Sequence, residues 1–448
     1  MKVSGTDFSL WMPCTKSQTE VCATQAKFLT IMAGDKDKLD INTQLVHAGG
    51  HSDPPVGRPT ATPIYASSTY TYESMAEIDQ VFAGDKAGYI YTRYGNPTVN
   101  AFAEAMRVAE GGATACAYSS GMAALHAALF ACELSPGAVV LASQDLYGAT
   151  TNLLQTIFGS FGIKTITADF SDLDLVRAQT NEHKPRVFLA ETISNPLLKV
   201  CDIDACAEIA HATGARLIVD NTFASPYLCR PLEHGADIVV HSATKFLSGH
   251  ADAMGGVAVS GDQADSAALI GVMKLVGGVL SPWEAHELLR GLKTLAVRLD
   301  RHCENAAALA HHLATHPRLG RLYFPQSQAA EGRDLAQRIL RGARAGLVSI
   351  ELKDNTRAAA FRFMDALKLC VRSTSLGDVF SSVLHPATAS HRDLSPARRG
   401  QLGISEGLVR ISVGIENIRD IVADIDQALE AGTNSGSGSL EARTAHPH

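Results

Sequence analysis

The stretch Ala236-Asp237-Ile238-Val239-Val240-His241-Ser242-Ala243-Thr244-Lys245-Phe246 decides how the rest of this sequence is interpreted. Its apolar first half predicts a buried strand, so Lys245 falls just beyond the carboxyl end, behind two hydroxyl side chains. Glycines at 249, 255 and 256 predict a flexible turn after it. Burial disfavours the cationic form of lysine, and the neutral amine is a nucleophile. Taken alone, the stretch favours the simpler interpretation of a surface lysine at a strand end.

Length and composition indicate a globular protein of two or three domains. The chain has 448 residues, of which 46% are hydrophobic and 19% charged. Its net charge of -7 and the lack of a Lys/Arg cluster argue against nucleic-acid binding. No stretch approaches the roughly 20 apolar residues that a membrane helix needs, and no apolar signal segment follows Lys2. The nine cysteines are scattered, which favours reduced thiols and a cytoplasmic location.

The middle of the chain alternates short apolar runs with helical patterns. Buried strands are predicted at 138–143, 187–191, 216–220 and 238–241, and helices at 121–132, 150–161 and 202–213. This alternation predicts an α/β fold with a mostly parallel central sheet that is covered on both faces.

The pattern changes after about residue 290. Long amphipathic helices are predicted at 296–316 and 417–430, with strands at 347–352 and 408–413 between them. This part predicts a smaller C-terminal α+β domain that packs on the first.

A candidate anion site lies at Ser120-Gly121-Met122, where a predicted strand ends and a helix begins. Such a turn directs free backbone amides and the positive end of a helix at one point, and the glycine allows a ligand to approach closely. An ordinary tight turn explains the pattern equally well. No Gly-Lys-Ser/Thr follows, so it is not a Walker loop, and the G-x-G-x-x-G spacing of a dinucleotide turn is missing.

Two predicted strands each carry a charged residue that is a candidate for ligand binding. Asp220 follows three apolar residues at the sheet edge where α/β enzymes bind ligands, and it could pair with a protonated pyridine nitrogen or cap the next turn. Arg410 interrupts the apolar run 408–413. Its guanidinium could bind a carboxylate through two parallel hydrogen bonds, or form a structural ion pair.

Loop residues give weaker signals. Asn195, before a proline, could hydrogen-bond a phenolic oxygen or simply form a turn. Tyr147 could stack on a planar ring or half-fill the core. Tyr91 and Arg93 alternate onto one side of an extended segment and offer a hydroxyl and a guanidinium to one anion.

These features together favour a Schiff base between Lys245 and an aldehyde cofactor, of which pyridoxal 5′-phosphate (PLP) is the commonest. No metal site is predicted. His312 and His316 are four residues apart on a helix, but Leu313 stands where a zinc protease has glutamate.

The segments resemble the Cys/Met-metabolism (transsulfuration) family of PLP-dependent enzymes, which includes cystathionine γ-synthase, cystathionine γ-lyase, methionine γ-lyase and the O-acylhomoserine sulfhydrylases. The resemblance runs from about residue 42 to residue 431. The order and spacing of the motifs agree with the family. They are 91–98, 120–122, 146–148, 194–196, 220–222, 241–250, 290–295, 375–377 and 410–416.

The resemblance implies PLP fold type I, the fold of aspartate aminotransferase, and a homo-oligomer, usually a tetramer built as a dimer of dimers. It implies that Lys245 and Tyr147 are catalytic, that Asp220 pairs with the ring nitrogen, and that Asn195 approaches the phenolic oxygen. The implied cofactor-binding set is Tyr91, Arg93, Gly121, Met122, Tyr147, Asn195, Asp220, Thr222, Ser242, Thr244 and Lys245. Within that set, Tyr91 and Arg93 are expected to reach the phosphate of a neighbouring subunit.

The expected domain organisation follows from the patterns and the resemblance together. Residues 1–38 are predicted to be a disordered extension, 39–95 an arm that contacts a neighbouring subunit, and 96–292 the PLP-binding domain. Residues 293–433 are expected to form the C-terminal domain, and 434–448 a flexible tail.

Ser375 and Arg410 are expected to hold the substrate α-carboxylate, and Phe380 to meet its distal end. Most synthases and cystathionine lyases of the family carry glutamate where Phe380 stands, after Ser-Leu-Gly-Gly. An apolar side chain there penalises an unpaired distal ammonium, which favours methionine, homocysteine or an O-acyl-homoserine. Ala149 departs from the cysteine that methionine γ-lyases often carry after Tyr-Gly.

The predicted activity is therefore γ-elimination or γ-replacement on a sulfur amino acid or an activated homoserine. An O-acylhomoserine sulfhydrylase and a cystathionine β-lyase are the near alternatives. A non-catalytic protein with the same fold is a remote one, because Lys245, Asp220, Tyr147 and Arg410 occur together. No nucleic-acid or membrane partner is expected.

Overall fold

The computed structural model describes residues 59–431 and confirms the predicted α/β architecture. The predicted extension at 1–38, the first part of the arm at 39–58 and the tail at 434–448 lie outside the described residues. None of the described helices is long and apolar enough to cross a membrane.

The described residues form two β-sheets, and all strands of the first sheet precede those of the second along the chain. The strands are β1 (Thr114–Tyr118), β2 (Val139–Ser143), β3 (Lys164–Ala168), β4 (Val187–Glu191), β5 (Arg216–Asp220), β6 (Ile238–Ser242), β7 (Gly256–Ser260), β8 (Leu319–Tyr323), β9 (Leu347–Leu352), β10 (Val371–Arg372), β11 (Ser382–Leu384) and β12 (Leu408–Ser412).

Helices connect most of these strands. They are α1 (Met75–Ala83), α2 (Pro97–Glu110), α3 (Gly121–Ala131), α4 (Gly148–Asn152), α5 (Leu173–His183), α6 (Ile203–His211), α7 (Ser225–Leu228), α8 (Asp265–Val276), α9 (Pro282–Leu292), α10 (Leu295–Leu313), α11 (Ala330–Ile339), α12 (Arg357–Ala366), α13 (Pro396–Gln401) and α14 (Ile418–Ala431). A π-helical turn at Leu153–Phe158 continues α4.

The central sheet has the strand order β1-β7-β6-β5-β4-β2-β3. Strands β2 to β6 run parallel, as the sequence predicted, whereas β7 is antiparallel to both of its neighbours. The parallel strands end at one edge of the sheet. There Glu191 on β4 pairs in register with Asp220 on β5, and Lys245 follows β6 three residues after its last residue.

Apolar side chains cover both faces of the central sheet. One face packs on α3 and α8, where alanines at 124, 127 and 128 are completely buried. Since α3 is apolar on all sides, it fits between the sheet and α8, which packs against it. This placement fixes the amino end of α3 beside the carboxyl ends of the strands.

The C-terminal sheet has the order β10-β11-β12-β9-β8 and is antiparallel except for the β10–β11 pair. Val219 and Val239 of the central sheet share one continuous apolar core with Ile350 and Val409 of this second sheet. The smaller unit is therefore packed firmly on the larger one, and β12 carries Arg410 toward the edge of the central sheet.

Most predicted elements are found with ends that differ by one to three residues, but two differences are informative. The predicted helix at 150–161 is a short α-helix followed by the π-helical turn. Strands β3, β7, β8, β10 and β11 were not predicted. The β3 stretch is partly exposed, and β7 is a fully buried apolar run with no alternation to identify it.

A buried hydrogen-bonded pair lies behind the sheet edge. His241 Nε2 is 2.5 Å from Glu110 Oε1, and both side chains are completely buried. Asn221 Nδ2 donates to the same oxygen at 3.0 Å, and Asn221 accepts a hydrogen bond from Thr192. The cluster ties α2 to the strands immediately behind Asp220.

Replacing Glu110 with alanine should lower the free energy of unfolding by about 1–3 kcal/mol, because it leaves the buried His241 ring and the Asn221 amide without the hydrogen-bond partner that they share. Glu104 on the same helix is the matched control, since its ion pair with Arg107 is exposed. Denaturant unfolding of the two variants checks this. Equal stability of the Glu110→Ala and Glu104→Ala variants would contradict a structural role for the buried pair.

Candidate active site

The amino end of α3 forms an anion cradle with the loop after β6. Ser120 Oγ accepts a hydrogen bond from the Ala123 amide, while the earlier amides of Gly121 and Met122 lie in the turn where a helix has no internal acceptors. A Cβ on Gly121 would lie 2.7 Å from Ser242 Cβ. Glycine is therefore required for this close approach, and the cradle suits a phosphate.

Ser242 and Thr244 form the other side of the cradle. The Ser242 amide donates to Thr222 Oγ1 at 2.8 Å, and the Gly255 amide donates to Thr244 Oγ1 at 3.1 Å. These bonds fix the course of the chain between β6 and Lys245, so the two hydroxyl side chains line the same cavity as Gly121.

Asp220 ends β5 and directs a carboxylate into that cavity. Its Oδ1 accepts hydrogen bonds from the Thr222 amide at 3.0 Å and from the Thr222 hydroxyl at 2.5 Å. Burial raises the pKa of Asp220, whereas the Thr222 bonds and the His241 ring lower it. A protonated ring nitrogen would supply the cation that this buried carboxylate needs, so the site fits PLP.

Glu191 is a cavity residue that the sequence analysis did not identify. It ends β4 opposite Asp220, and its Oε1 accepts a hydrogen bond from the Tyr147 amide at 2.6 Å. Burial and the neighbouring Asp220 carboxylate raise the pKa of Glu191 well above its usual value. Its position at the end of a predicted strand, parallel to Asp220, was the available signal.

Tyr147 lies at the start of α4 on the cavity wall, with 41% of its surface exposed. The next residue has no room for a side chain, because a Cβ on Gly148 would lie 2.4 Å from the Ser390 carbonyl oxygen. This contact and the bond to Glu191 hold the Tyr147 backbone in place while its ring remains accessible.

Lys245 reaches the cavity from the loop after β6. Its Nζ donates to Ser375 Oγ at 3.1 Å. Burial and the Arg410 guanidinium lower the pKa of Lys245, and the Asp378 carboxylate opposes them. The amine is therefore easier to deprotonate than an ordinary lysine, as a nucleophile or a base requires.

Arg410 comes from β12 and is 2% exposed. Its guanidinium donates to Asn195 Oδ1 at 2.9 Å and to the Ser375 carbonyl at 3.2 Å, while Nε has no partner among the described residues. Burial lowers the pKa of Arg410 to about 10. A buried cation held by neutral acceptors is suited to binding a carboxylate.

These residues line a cavity of about 270 Å³. The predicted residues that it brings together are Gly121, Met122, Tyr147, Asn195, Asp220, Thr222, Ser242, Thr244, Lys245 and Arg410. Ser120 of the predicted anion site also lines the cavity, and the residues that the sequence analysis did not single out are Leu125, Glu191, Ile193, Phe223, Met254, Thr374, Leu376 and Ser390. Most of the missed residues are apolar or uncharged, and only folding shows that they form the walls.

Other predicted residues lie elsewhere. Ser375 contacts Lys245 and Arg410 but is not part of the cavity lining. Phe380 is half-buried and also does not line the cavity. The next residue, Ser381, is bound to Glu416 through both its amide and its hydroxyl, which fixes the course of the chain at this point.

Tyr91 and Arg93 are likewise absent from the cavity lining of their own chain. The Arg93 guanidinium donates to the Lys274 carbonyl and lies 4.8 Å from the centre of the Tyr94 ring. Tyr91 is 40% exposed and pairs with Thr69 through an isolated bridge. Both side chains thus occupy a separate surface.

The fold and the cavity together define a PLP-dependent enzyme of fold type I. Residues 42–430 match the family model described as "Cys/Met metabolism PLP-dependent enzyme". The chain belongs to this family, and its enzymes are PLP-dependent carbon–sulfur lyases and γ-synthases.

The individual relatives are named for different reactions. The chain is 42% identical to an L-methionine γ-lyase of Pseudomonas putida, over 89% of this chain and all of that protein. A cystathionine γ-synthase of Xanthomonas oryzae has a TM-score of 0.78 and 37% identity, covering 83% of this chain and 93% of that chain.

A third relative bears directly on the cofactor. The structure of a putative O-acetylhomoserine (thiol)-lyase of Campylobacter jejuni has a TM-score of 0.79 and 30% identity, covering 85% of this chain and 97% of that chain. It contains a pyridoxyl-lysine phosphate. PLP is therefore the cofactor of this family, while the different reactions leave the substrate of this chain to be proposed.

Replacing Gly121 with alanine should weaken PLP binding at least about tenfold, or about 1.4 kcal/mol, because the new Cβ would push α3 away from Ser242. Titrating the apoprotein with PLP and following absorbance measures this. Gly271→Ala is the control, since a Cβ on Gly271 in α8 would meet nothing within 4 Å. Unchanged affinity in the Gly121→Ala variant would contradict the proposed phosphate site.

Proposed function

We propose that this enzyme catalyses γ-elimination or γ-replacement on a sulfur amino acid or activated homoserine with an uncharged distal end. One observation carries the proposal: Lys245, Asp220 and Arg410 converge on a single cavity. An amine, a carboxylate and a guanidinium there suit a cofactor aldehyde, a protonated ring and a substrate carboxylate respectively.

The bound cofactor supplies an electron sink for charge that develops on the substrate α-carbon. Asp220 holds the ring nitrogen protonated, and the cradle of Gly121, Met122, Ser242 and Thr244 holds the phosphate. Arg410 and Ser375 bind the α-carboxylate and orient the α-hydrogen. This orientation decides which substrate bond is activated.

Lys245 serves as the proton carrier. Its amine would remove the α-proton of the bound substrate and later return a proton to the substrate chain. Tyr147 is the second acid or base, because it lies on the wall of the same cavity with its ring accessible. Asn195 helps to align Arg410, to which it is bonded, and is assigned to the phenolic oxygen of the ring.

The walls support the preference for an uncharged distal end. Ile193, Phe223, Met254 and Leu376 contribute apolar surface. The carboxylates in the lining, Glu191 and Asp220, are paired in register at the end of the sheet, where the ring would lie. A distal ammonium would therefore lose its water without gaining a partner at the apolar walls.

The enzyme should turn over methionine with a kcat/KM at least about tenfold higher than cystathionine, since an unpaired polar group costs about 1–3 kcal/mol on burial. Analysis of the products, 2-oxobutanoate, pyruvate or a new thioether, also distinguishes γ-elimination from β-elimination and replacement. Preference for cystathionine would contradict the assignment.

Phe380 has its own test. If it meets the distal end of the substrate, as its position after Ser-Leu-Gly suggests, Phe380→Glu should raise turnover of cystathionine relative to methionine. If the ratio of cystathionine turnover to methionine turnover is unchanged, the apolar walls alone account for the preference for an uncharged distal end. An O-acylhomoserine sulfhydrylase remains the second candidate, and a thioether formed from an O-acyl-homoserine and sulfide would identify it.

We further propose a homo-oligomer, a dimer of dimers, in which Tyr91 and Arg93 bind the phosphate in a neighbouring subunit. Tyr91 is exposed, Arg93 is partly exposed, and neither lines the cavity of its own chain, which supports an action in trans. The described cysteines are buried free thiols, which supports a reducing, cytoplasmic location.

A subunit-mixing experiment tests this arrangement. Arg93→Ala and Lys245→Ala variants should each be nearly inactive, whereas co-expressed hybrids should regain activity. A hybrid pair has one site with an intact Lys245 and an intact Arg93 from its partner. No recovery in purified hybrids would contradict the action of Arg93 across subunits.

A further inference from the structure

Asp378 is a buried carboxylate that the proposed reaction does not yet use. It is 1% exposed, and neither oxygen has a side-chain hydrogen-bond donor among the described residues; the Ala251 amide is the backbone donor that acts on it. An ionised carboxylate in such a place is costly unless cations stand nearby. The cations near Asp378 therefore indicate the role of its carboxylate.

The backbone holds Asp378 against the loop that carries Lys245. The amide of the following residue, Val379, donates to the Gly249 carbonyl at 2.9 Å. A Cβ on the preceding residue, Gly377, would lie 2.6 Å from the Phe246 nitrogen. Since both neighbours of Asp378 touch the loop at 245–249, the carboxylate is confined beside it.

A second buried cation, on helix α10, packs against this loop. Arg298 is 4% exposed and donates to the Phe246 carbonyl at 2.7 Å and to the Gly291 carbonyl at 2.9 Å. These neutral acceptors leave its charge uncompensated. The Asp378 carboxylate opposes the effect of burial on the pKa of Arg298, so the two charges act on each other through the loop.

Two charged side chains have opposite effects on the protonation of Lys245. The Arg410 guanidinium disfavours a second positive charge on Nζ, whereas the Asp378 carboxylate favours it. Burial raises the pKa of Asp378, and Lys245 opposes this effect. Of the other titratable groups, Asp252 disfavours ionisation of Asp378 and His250 favours it. Both belong to the loop after Lys245.

We propose that Asp378 is a positioning residue that stabilises the protonated form of Lys245, and so sets how tightly this amine holds the proton it transfers. The inference rests on the proposed role of Lys245. Its physical basis is a buried carboxylate without a side-chain hydrogen-bond donor among the described residues, held beside the loop that carries the amine. Arg298 on α10, which is bonded to carbonyls of that loop, is a second cation that favours the ionised form of Asp378.

The test is a pH titration of the colour of the PLP-loaded enzyme without substrate. The absorbance reports whether the nitrogen that joins Lys245 to the cofactor carries a proton. Removing the negative charge destabilises the protonated form, so Asp378→Asn should lower the midpoint by about one pH unit. Asp378→Glu should restore the midpoint toward that of the unaltered enzyme.

Two further variants keep the result interpretable. Asp378→Gly removes the same charge with the residue that the Ser-Leu-Gly-Gly motif carries, and it should shift the midpoint in the same direction if Asp378→Asn does not fold. Asp252→Asn is the control. Its carboxylate accepts a bond from Ser248 and is not among the charges that act on Lys245, so the midpoint should remain unchanged.

An unchanged midpoint in the folded, PLP-loaded Asp378→Asn and Asp378→Gly variants would overturn the inference. The same shift in Asp252→Asn would also overturn it, because the effect would then not be specific to Asp378. If the yellow colour of the PLP-loaded enzyme did not depend on Lys245, the proposed role of the lysine would be refuted, and this inference with it.

Discussion

The desolvation of four charged side chains at one end of the central sheet is the constraint on which the rest of the site depends. Glu191, Asp220, Lys245 and Arg410 all face one cavity, although burial penalises the charged form of each. Their neighbours offset this penalty only in part. As a result, the Asp220 carboxylate is suited to binding a cation and the Arg410 guanidinium to binding a carboxylate. The Lys245 amine loses its proton readily.

The fold produces this arrangement by bringing the ends of several elements together. Parallel strands β4 and β5 set Glu191 beside Asp220, the loop after β6 supplies Lys245, and β12 of the second sheet supplies Arg410. A continuous apolar core joins the two sheets. Arg410 therefore keeps its position relative to Lys245, and the same packing confines Asp378 beside the lysine loop.

Much of this could be predicted from the sequence, because a charged residue after an apolar strand is visible in one dimension. Lys245, Asp220 and the Gly121 turn were found in this way, and they lie together as expected. The bond between Asn195 and Arg410 joins residues 215 positions apart and needs the packed fold. The lining by Met254 and Ser390, and the place of Phe380 away from the cavity, likewise depend on how loops pack.

The central claim is that Lys245 carries the cofactor, and borohydride reduction tests it most directly. The purified protein should be yellow, and reduction followed by peptide mass spectrometry should find the pyridoxyl group on the peptide that contains Lys245. A label on another lysine would contradict the account. So would a colourless protein that gains no absorbance when PLP is added.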